Sequence, residues 1–154
     1  MIIRKATIAD NQAITQLFYE TITSINVKDY DAQQIETWAS SAENKDFWQE
    51  QIEKQHFIIV ENDEYLLGFA SLTTDGYLDF MYVHKNHQKQ GIAGALLENI
   101  LNEANRLNLT KIWTDASITA RPFFLNKGFV IEKIYTKISK EVAFENAIMV
   151  RNLK

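Results

Sequence analysis

The stretch Val83-His84-Lys85-Asn86-His87-Gln88-Lys89-Gln90-Gly91-Ile92-Ala93-Gly94-Ala95 separates a β-rich run from the strongest amphipathic pattern in the chain. Before it, Tyr77-Leu78-Asp79-Phe80-Met81-Tyr82-Val83 is dense in the aromatic and apolar residues that strands favour. After it, Ile92, Leu96, Leu97, Ile100, Leu101, Ala104 and Leu107 recur at helical spacing and make one apolar helix face. The first N–H groups of such a helix lack intrahelical partners and sit at the positive end of its dipole. Gly91, Ala93, Gly94 and Ala95 leave those amides bare, and Lys89 adds a cation, so a phosphate or pyrophosphate fits there. The other reading of this local pattern is a glycine-eased turn without a ligand. The spacing is not that of a nucleotide-hydrolysing P-loop. Gly91-Ile92-Ala93-Gly94 lacks the third glycine and the acidic partner of a dinucleotide fingerprint.

Working outward, Ile2-Ile3-Arg4-Lys5-Ala6 predicts a first strand, and Thr7 with Asp10 a capping box that opens a helix with Ile14, Leu17, Phe18, Ile22 and Ile25 on one face. Further helix starts fall at Asp31 with Gln34 and at Asp46 with Gln49. From His56 the period changes to three β-rich runs parted by Asn62-Asp63 and Asp75-Gly76 turns, a meander against which the long helix packs. Lys111 to Thr114 reads as a strand, Ala120 to Lys127 as a short helix ended by Gly128, and Phe129 to Ile138 and Val142 to Leu153 as closing strands. The order is β-α-α-β-β-β-α-β-α-β-β, an α+β fold with a mixed, mostly antiparallel sheet of about seven strands and helices on both faces. One proline, five scattered glycines and no repeat or low-complexity tract give no domain boundary, so residues 1–154 read as a single domain.

Composition narrows the function classes. Sixteen Lys plus Arg against twenty Asp plus Glu leave a formal charge of −4, which offers no global field for nucleic acid. The absence of cysteine removes disulfides, thiolate nucleophiles and thiolate-bound metals, and three scattered histidines make no metal site. No stretch suits export or membrane spanning, so a cytoplasmic protein without a membrane partner is expected.

Gln88-Lys89-Gln90-Gly91-Ile92-Ala93, placed between a strand and a long helix, resembles the [QR]-x-x-G-x-[GA] signature of the GCN5-related N-acetyltransferases, the GNAT family. Ile3 to Thr7 with Asp10 resembles that family's opening, and Ala120-Arg121-Pro122-Phe123-Phe124-Leu125-Asn126-Lys127-Gly128-Phe129 its late helix and following strand. The resemblance implies acetyl-coenzyme A as co-substrate, no metal, and a sheet splayed between the fourth and fifth strands. It implies a pyrophosphate on the amides of Gln90, Gly91, Ile92, Ala93, Gly94 and Ala95, with Gln88 and Lys89 alongside. Pantetheine would pair with backbone at Met81, Tyr82 and Val83, Ser117 would bond the arm, and Phe123 and Phe124 would flank it.

The same resemblance implies attack of a neutral amine on the thioester, with the Val83 N–H holding the oxyanion. The family's usual proton donor is a tyrosine at the position of Phe124, and a phenyl ring cannot protonate a thiolate. Tyr82 and Tyr135 are the candidate substitutes, each also readable as a packed strand tyrosine. Asp79 and His84 are candidate bases, each also readable as a solvated surface group. Tyr30, Ile35 and Trp38 fall where the family forms its acceptor pocket, or else are plain core. The expected reaction is acetyl transfer to a primary amine of a small molecule or peptide, by a monomer or homodimer. The alternatives are a non-catalytic acyl-coenzyme A sensor and an interaction subunit using an edge strand at Val142 to Leu153.

Overall fold

The computed structural model of the chain describes residues 1–153. Its strands are β1 (Ile2–Lys5), β2 (His56–Glu61), β3 (Leu66–Leu72), β4 (Tyr77–Val83), β5 (Lys111–Ala116), β6 (Val130–Ser139) and β7 (Val142–Asn152). Its helices are α1 (Asn11–Ser24), α2 (Ala32–Ala39), α3 (Lys45–Lys54), α4 (Ile92–Arg106) and α5 (Arg121–Asn126). Three α-helices precede β2, one more than the expected order. Asp31 caps α2 as anticipated, accepting from Gln34 N at 2.8 Å while the Gln34 side chain accepts from Asp31 N. The third helix begins earlier than Asp46, because Asn44 is its cap and accepts from Phe47 N. Asp10 does not open α1 directly: it accepts from Thr7 N around a short 3₁₀ turn and is gripped by both terminal nitrogens of Arg4 at 2.9 Å.

The seven strands lie in the order β1-β2-β3-β4-β5-β7-β6, antiparallel except for β4 against β5. Two cores follow from strand alternation. On one face Leu67, Ala70, Leu72, Leu78 and Ile112 pack under Ile92, Leu96, Leu97, Ile100 and Ala104 of α4. On the other, Phe57, Ile59 and Phe69 meet Ile14, Leu17, Phe18 and Ile22 of α1 and Trp48 and Ile52 of α3. The strand at Val142 to Leu153 is not an edge, since β7 lies between β5 and β6 and is paired on both sides, which leaves β1 and β6 as the edges. The physical reason is the β6–β7 hairpin, whose return strand inserts beside β5.

Two local features open the sheet. β4 and β5 pair only at Tyr77↔Trp113 and Leu78↔Thr114. On the other side of β4, Ser71 pairs with Phe80 and Leu72 with Leu78, so Asp79 is an extra, bulged residue. Beyond it the strands part. The close seat of α4 on β3 depends on Gly68, where an added Cβ would fall 2.9 Å from the Tyr82 carbonyl, 3.2 Å from Ile92 Cγ2 and 3.3 Å from Leu96 Cδ1. Gly68→Ala is therefore expected to lower unfolding stability by about 1–3 kcal/mol in urea titration, the usual effect of overpacking.

Candidate active site

The gap between β4 and β5 continues into a cleft of about 970 Å³ lined from both halves of the sheet. His84 N donates to Leu67 O, so alternation turns the amides of Met81 and Val83 away from β3 and toward the gap. The Val83 carbonyl is already satisfied by Thr21 Oγ1 at 3.1 Å and Gln88 Nε2 at 2.7 Å. Gln88 therefore braces the strand end through its side chain while lining the cleft. What remains open on this edge is the N–H and C=O of Met81 and the N–H of Val83, suited to an extended chain carrying amides.

The loop after β4 aims at the same cleft. Lys89 takes φ +59° and Gly91 φ +83°, left-handed conformations that turn the chain into α4. Nothing lies within 4 Å of a Cβ built on Gly91, so backbone conformation and not crowding favours glycine there. Ala95 N is the first amide to bond within the helix, to Gly91 O at 3.0 Å, which removes Ala95 from the expected anion cradle and leaves Gln90, Gly91, Ile92, Ala93 and Gly94. Lys127, which the sequence reading passed over, brings its ammonium 3.7 Å from a Cβ position on Gly94 and lines the cleft. Its signal was only its place at the end of a short helix. His87 lines the cleft while bonding Tyr65 Oη at 2.7 Å and Gln90 Oε1 at 3.1 Å, fixing the loop to the β2–β3 turn. His84 does not line it: its ring stacks on Tyr65 and its Nδ1 accepts from Asn86 N. Burial, then His87 nearby, pushes its pKa below the usual range.

At the apex the chemistry changes sign. Asp79 accepts from Gln55 Nε2 at 2.8 Å, and burial pushes its carboxyl above the ordinary range, opposed by Gln55 and by the Lys137 ammonium. Asp115 accepts from Tyr135 Oη at 2.6 Å and Asn146 Nδ2 at 3.0 Å and pairs with Lys137 Nζ at 3.7 Å. Asp115, Asn146, Lys137 and Tyr77 also escaped the sequence reading, because nothing local announces that β4, β5, β6 and β7 turn these side chains to one cleft. Burial, then Asp115, pushes the Tyr135 phenol up to about 12. Tyr82 lines the cleft but its ring packs on Phe69 and Phe18, and burial raises its pKa despite the Trp38 indole.

Of the three acceptor-pocket candidates, Tyr30 and Trp38 line the cleft, their rings 5.2 Å apart and joined by Phe144. Ile35 does not: it is 8% exposed and faces the outer groove between α1 and α2, because α2 turns its Trp38 side inward. Ser117 lines the cleft and its Oγ accepts from Ala120 N, capping the turn into α5. Phe123 and Phe124 both line the cleft, Phe124 being 3% exposed and packed edge-on to Phe129 at 4.9 Å.

A strand edge with free amides, a bare helix N-terminus flanked by lysines and a carboxylate apex together define a site for an acyl-coenzyme A transferase. Residues 26–141 match the model of the family described as acetyltransferase (GNAT) domain. The chain is 31% identical over 120 residues, 78% of its length and 75% of the relative's, to the uncharacterized N-acetyltransferase YafP of Escherichia coli K12. Its structure matches the GCN5-related N-acetyltransferase from Rhodopseudomonas palustris with a TM-score of 0.95 at 24% identity, covering 99% of this chain and 95% of that one. It matches the PaiA N-acetyltransferase of Thermoplasma acidophilum, solved in complex with coenzyme A, with a TM-score of 0.82 at 19% identity over 99% and 98% of the two chains.

The chain belongs to the GNAT acetyltransferase family. Gly91→Val forces a β-branched residue into a left-handed backbone and should weaken coenzyme A binding about tenfold or more by calorimetry, with the circular dichroism spectrum retained.

Proposed function

We propose that the protein transfers the acetyl group to a primary amine of a small molecule or peptide by direct attack, with both substrates in the cleft at once. The observation that carries this reading is the continuity of one cleft from the α4 N-terminus, past the Met81 and Val83 amides, to Asp79 and Asp115. The amides of Ile92, Ala93 and Gly94 with Lys89 and Lys127 hold the diphosphate. Met81 and Val83 pair with the pantetheine amides in strand fashion, and the Val83 N–H faces the oxygen on which charge develops.

The amine enters from the Tyr30–Trp38 side and must lose a proton before it attacks. Asp79 is the base of this reading, directly or through one water, because it is the carboxylate at the apex whose pKa is held above the ordinary range. The reading carries with it one catalytic domain over residues 1–154, a cytoplasmic setting, no nucleic-acid or membrane partner, and action as a monomer or homodimer. Among the described residues no helix is long and apolar enough to cross a membrane.

A screen of primary amines that follows thiol release from acetyl-coenzyme A is the direct test; no amine-dependent release from protein that binds the coenzyme would end the proposal. Asp79→Asn should lower turnover of the best amine about 10²-fold with coenzyme affinity retained. It should also affect stability in the opposite sense. A carboxyl whose pKa is raised by folding contributes most below its unfolded pKa and loses that contribution as pH rises through the folded value. The asparagine variant should therefore gain thermal stability over wild type near pH 7, and the gain should fade as pH drops toward 4.

A further inference from the structure

Phe124 leaves the leaving thiolate without the family's usual donor, and of the two sequence candidates Tyr135 has its proton committed while Tyr82 has its ring packed into the core under α1. The Tyr135 proton is committed to Asp115 at 2.6 Å, and the Tyr82 ring lies flat against Phe69 with centroids 5.4 Å apart. A third tyrosine reaches the gap from another direction. Tyr30, on the segment between α1 and α2, crosses the mouth of the splay, and its Oη accepts from the backbone N–H of Ile118 at 2.8 Å. Ile118 lies in the turn just after β5, which ends at Ala116. The Tyr30 hydroxyl is thus held at the β5 side of the same cleft that Val83 lines from the β4 side.

We propose that Tyr30 is the proton donor to the coenzyme thiolate, taking the role that the family gives to a tyrosine at the position of Phe124. This rests on the acetyl-transfer reading above. Because Ile118 N–H occupies an acceptor lone pair of Oη, that bond leaves the phenolic proton available to a group in the cleft that Tyr30 lines. The ring is held by Trp38 at 5.2 Å and Phe144 at 6.1 Å, so the hydroxyl is fixed before substrate arrives. Burial raises its pKa and keeps it protonated at neutral pH, while the Ile118 N–H, Ser117 and Arg121 favour the phenolate once the proton has left.

The step balances. The amine nitrogen forms the C–N bond, the oxyanion collapses, and the C–S bond breaks with its electron pair on sulfur. The Tyr30 proton passes to that sulfur to give the thiol. The phenolate then recovers a proton from the newly acylated nitrogen, which carries one more than the amide needs.

Two readouts test this, one of which needs no acceptor. With coenzyme A bound, the thiolate absorbs in the ultraviolet, and its titration gives the pKa of the bound thiol. A donor O–H stabilises the thiolate, so Tyr30→Phe should raise that pKa by about one unit with coenzyme affinity unchanged. With the best amine of the screen, Tyr30→Phe should lower turnover roughly 10²-fold, and Tyr30→Phe with Phe124→Tyr should restore much of it. An unchanged thiol pKa overturns the assignment, as does a turnover loss that Phe124→Tyr leaves uncorrected. Wild-type protein that shows the thiol shift but acetylates no amine overturns the acetyl-transfer reading itself, a result distinct from either.

Discussion

The rest of the site depends on how few hydrogen bonds join β4 to β5. Two residue pairs hold these strands together, after which the bulge at Asp79 turns β4 away and Asp79 and Asp115 stand at the point of parting. The consequence is an edge inside a sheet. Backbone N–H groups on such an edge require a partner, and a cleft lined by both halves of the sheet supplies room for an extended, amide-bearing chain.

A sheet joined at its middle by two pairs needs bracing elsewhere, and the N-terminal helices provide it. Tyr30 bonds Ile118, Asp29 accepts from Thr119 Oγ1 at 2.7 Å, Gln34 Nε2 donates to Ala143 O at 2.9 Å, and Lys140 Nζ donates to Ser40 Oγ at 2.7 Å. These bonds tie the α1–α2 region, which is packed on β3 and β4, to the β5–β7 half. The strap that closes one mouth of the cleft is thus also what keeps the two halves at a set distance. Residues of that strap act on geometry as well as on substrate.

Much of this was legible in the chain because the informative signals were local. The change of period at His56, the glycine-rich entry to α4 and the capping pair Asp31/Gln34 each need only a few neighbouring residues, and each appears where expected. What escaped was non-local. The insertion of β7 between β5 and β6 is set by which strand completes the sheet beside β5, and no short pattern encodes it. Asp115, Tyr135, Asn146 and Lys137 meet only because three strands bring them to one point. Ile35 and Trp38 were indistinguishable as apolar positions of one helix until its rotation sent one to the outer groove and the other to the cleft.

The net charge of −4 describes neither end of the cleft. At the α4 N-terminus the helix dipole, Lys89 and Lys127 create a positive field, and at the apex Asp79 and Asp115 create a negative one that Lys137 offsets in part. Fields of opposite sign at the two ends of one cleft sort two substrates of opposite charge. In the proposed reaction the polyanionic end of the coenzyme would be drawn to the helix and repelled from the apex, whereas an ammonium would be drawn to the apex and repelled from the helix. Orientation would thereby be set before any specific contact forms. The same field would place the amine beside Asp79, on the far side of the thioester from the α4 N-terminus.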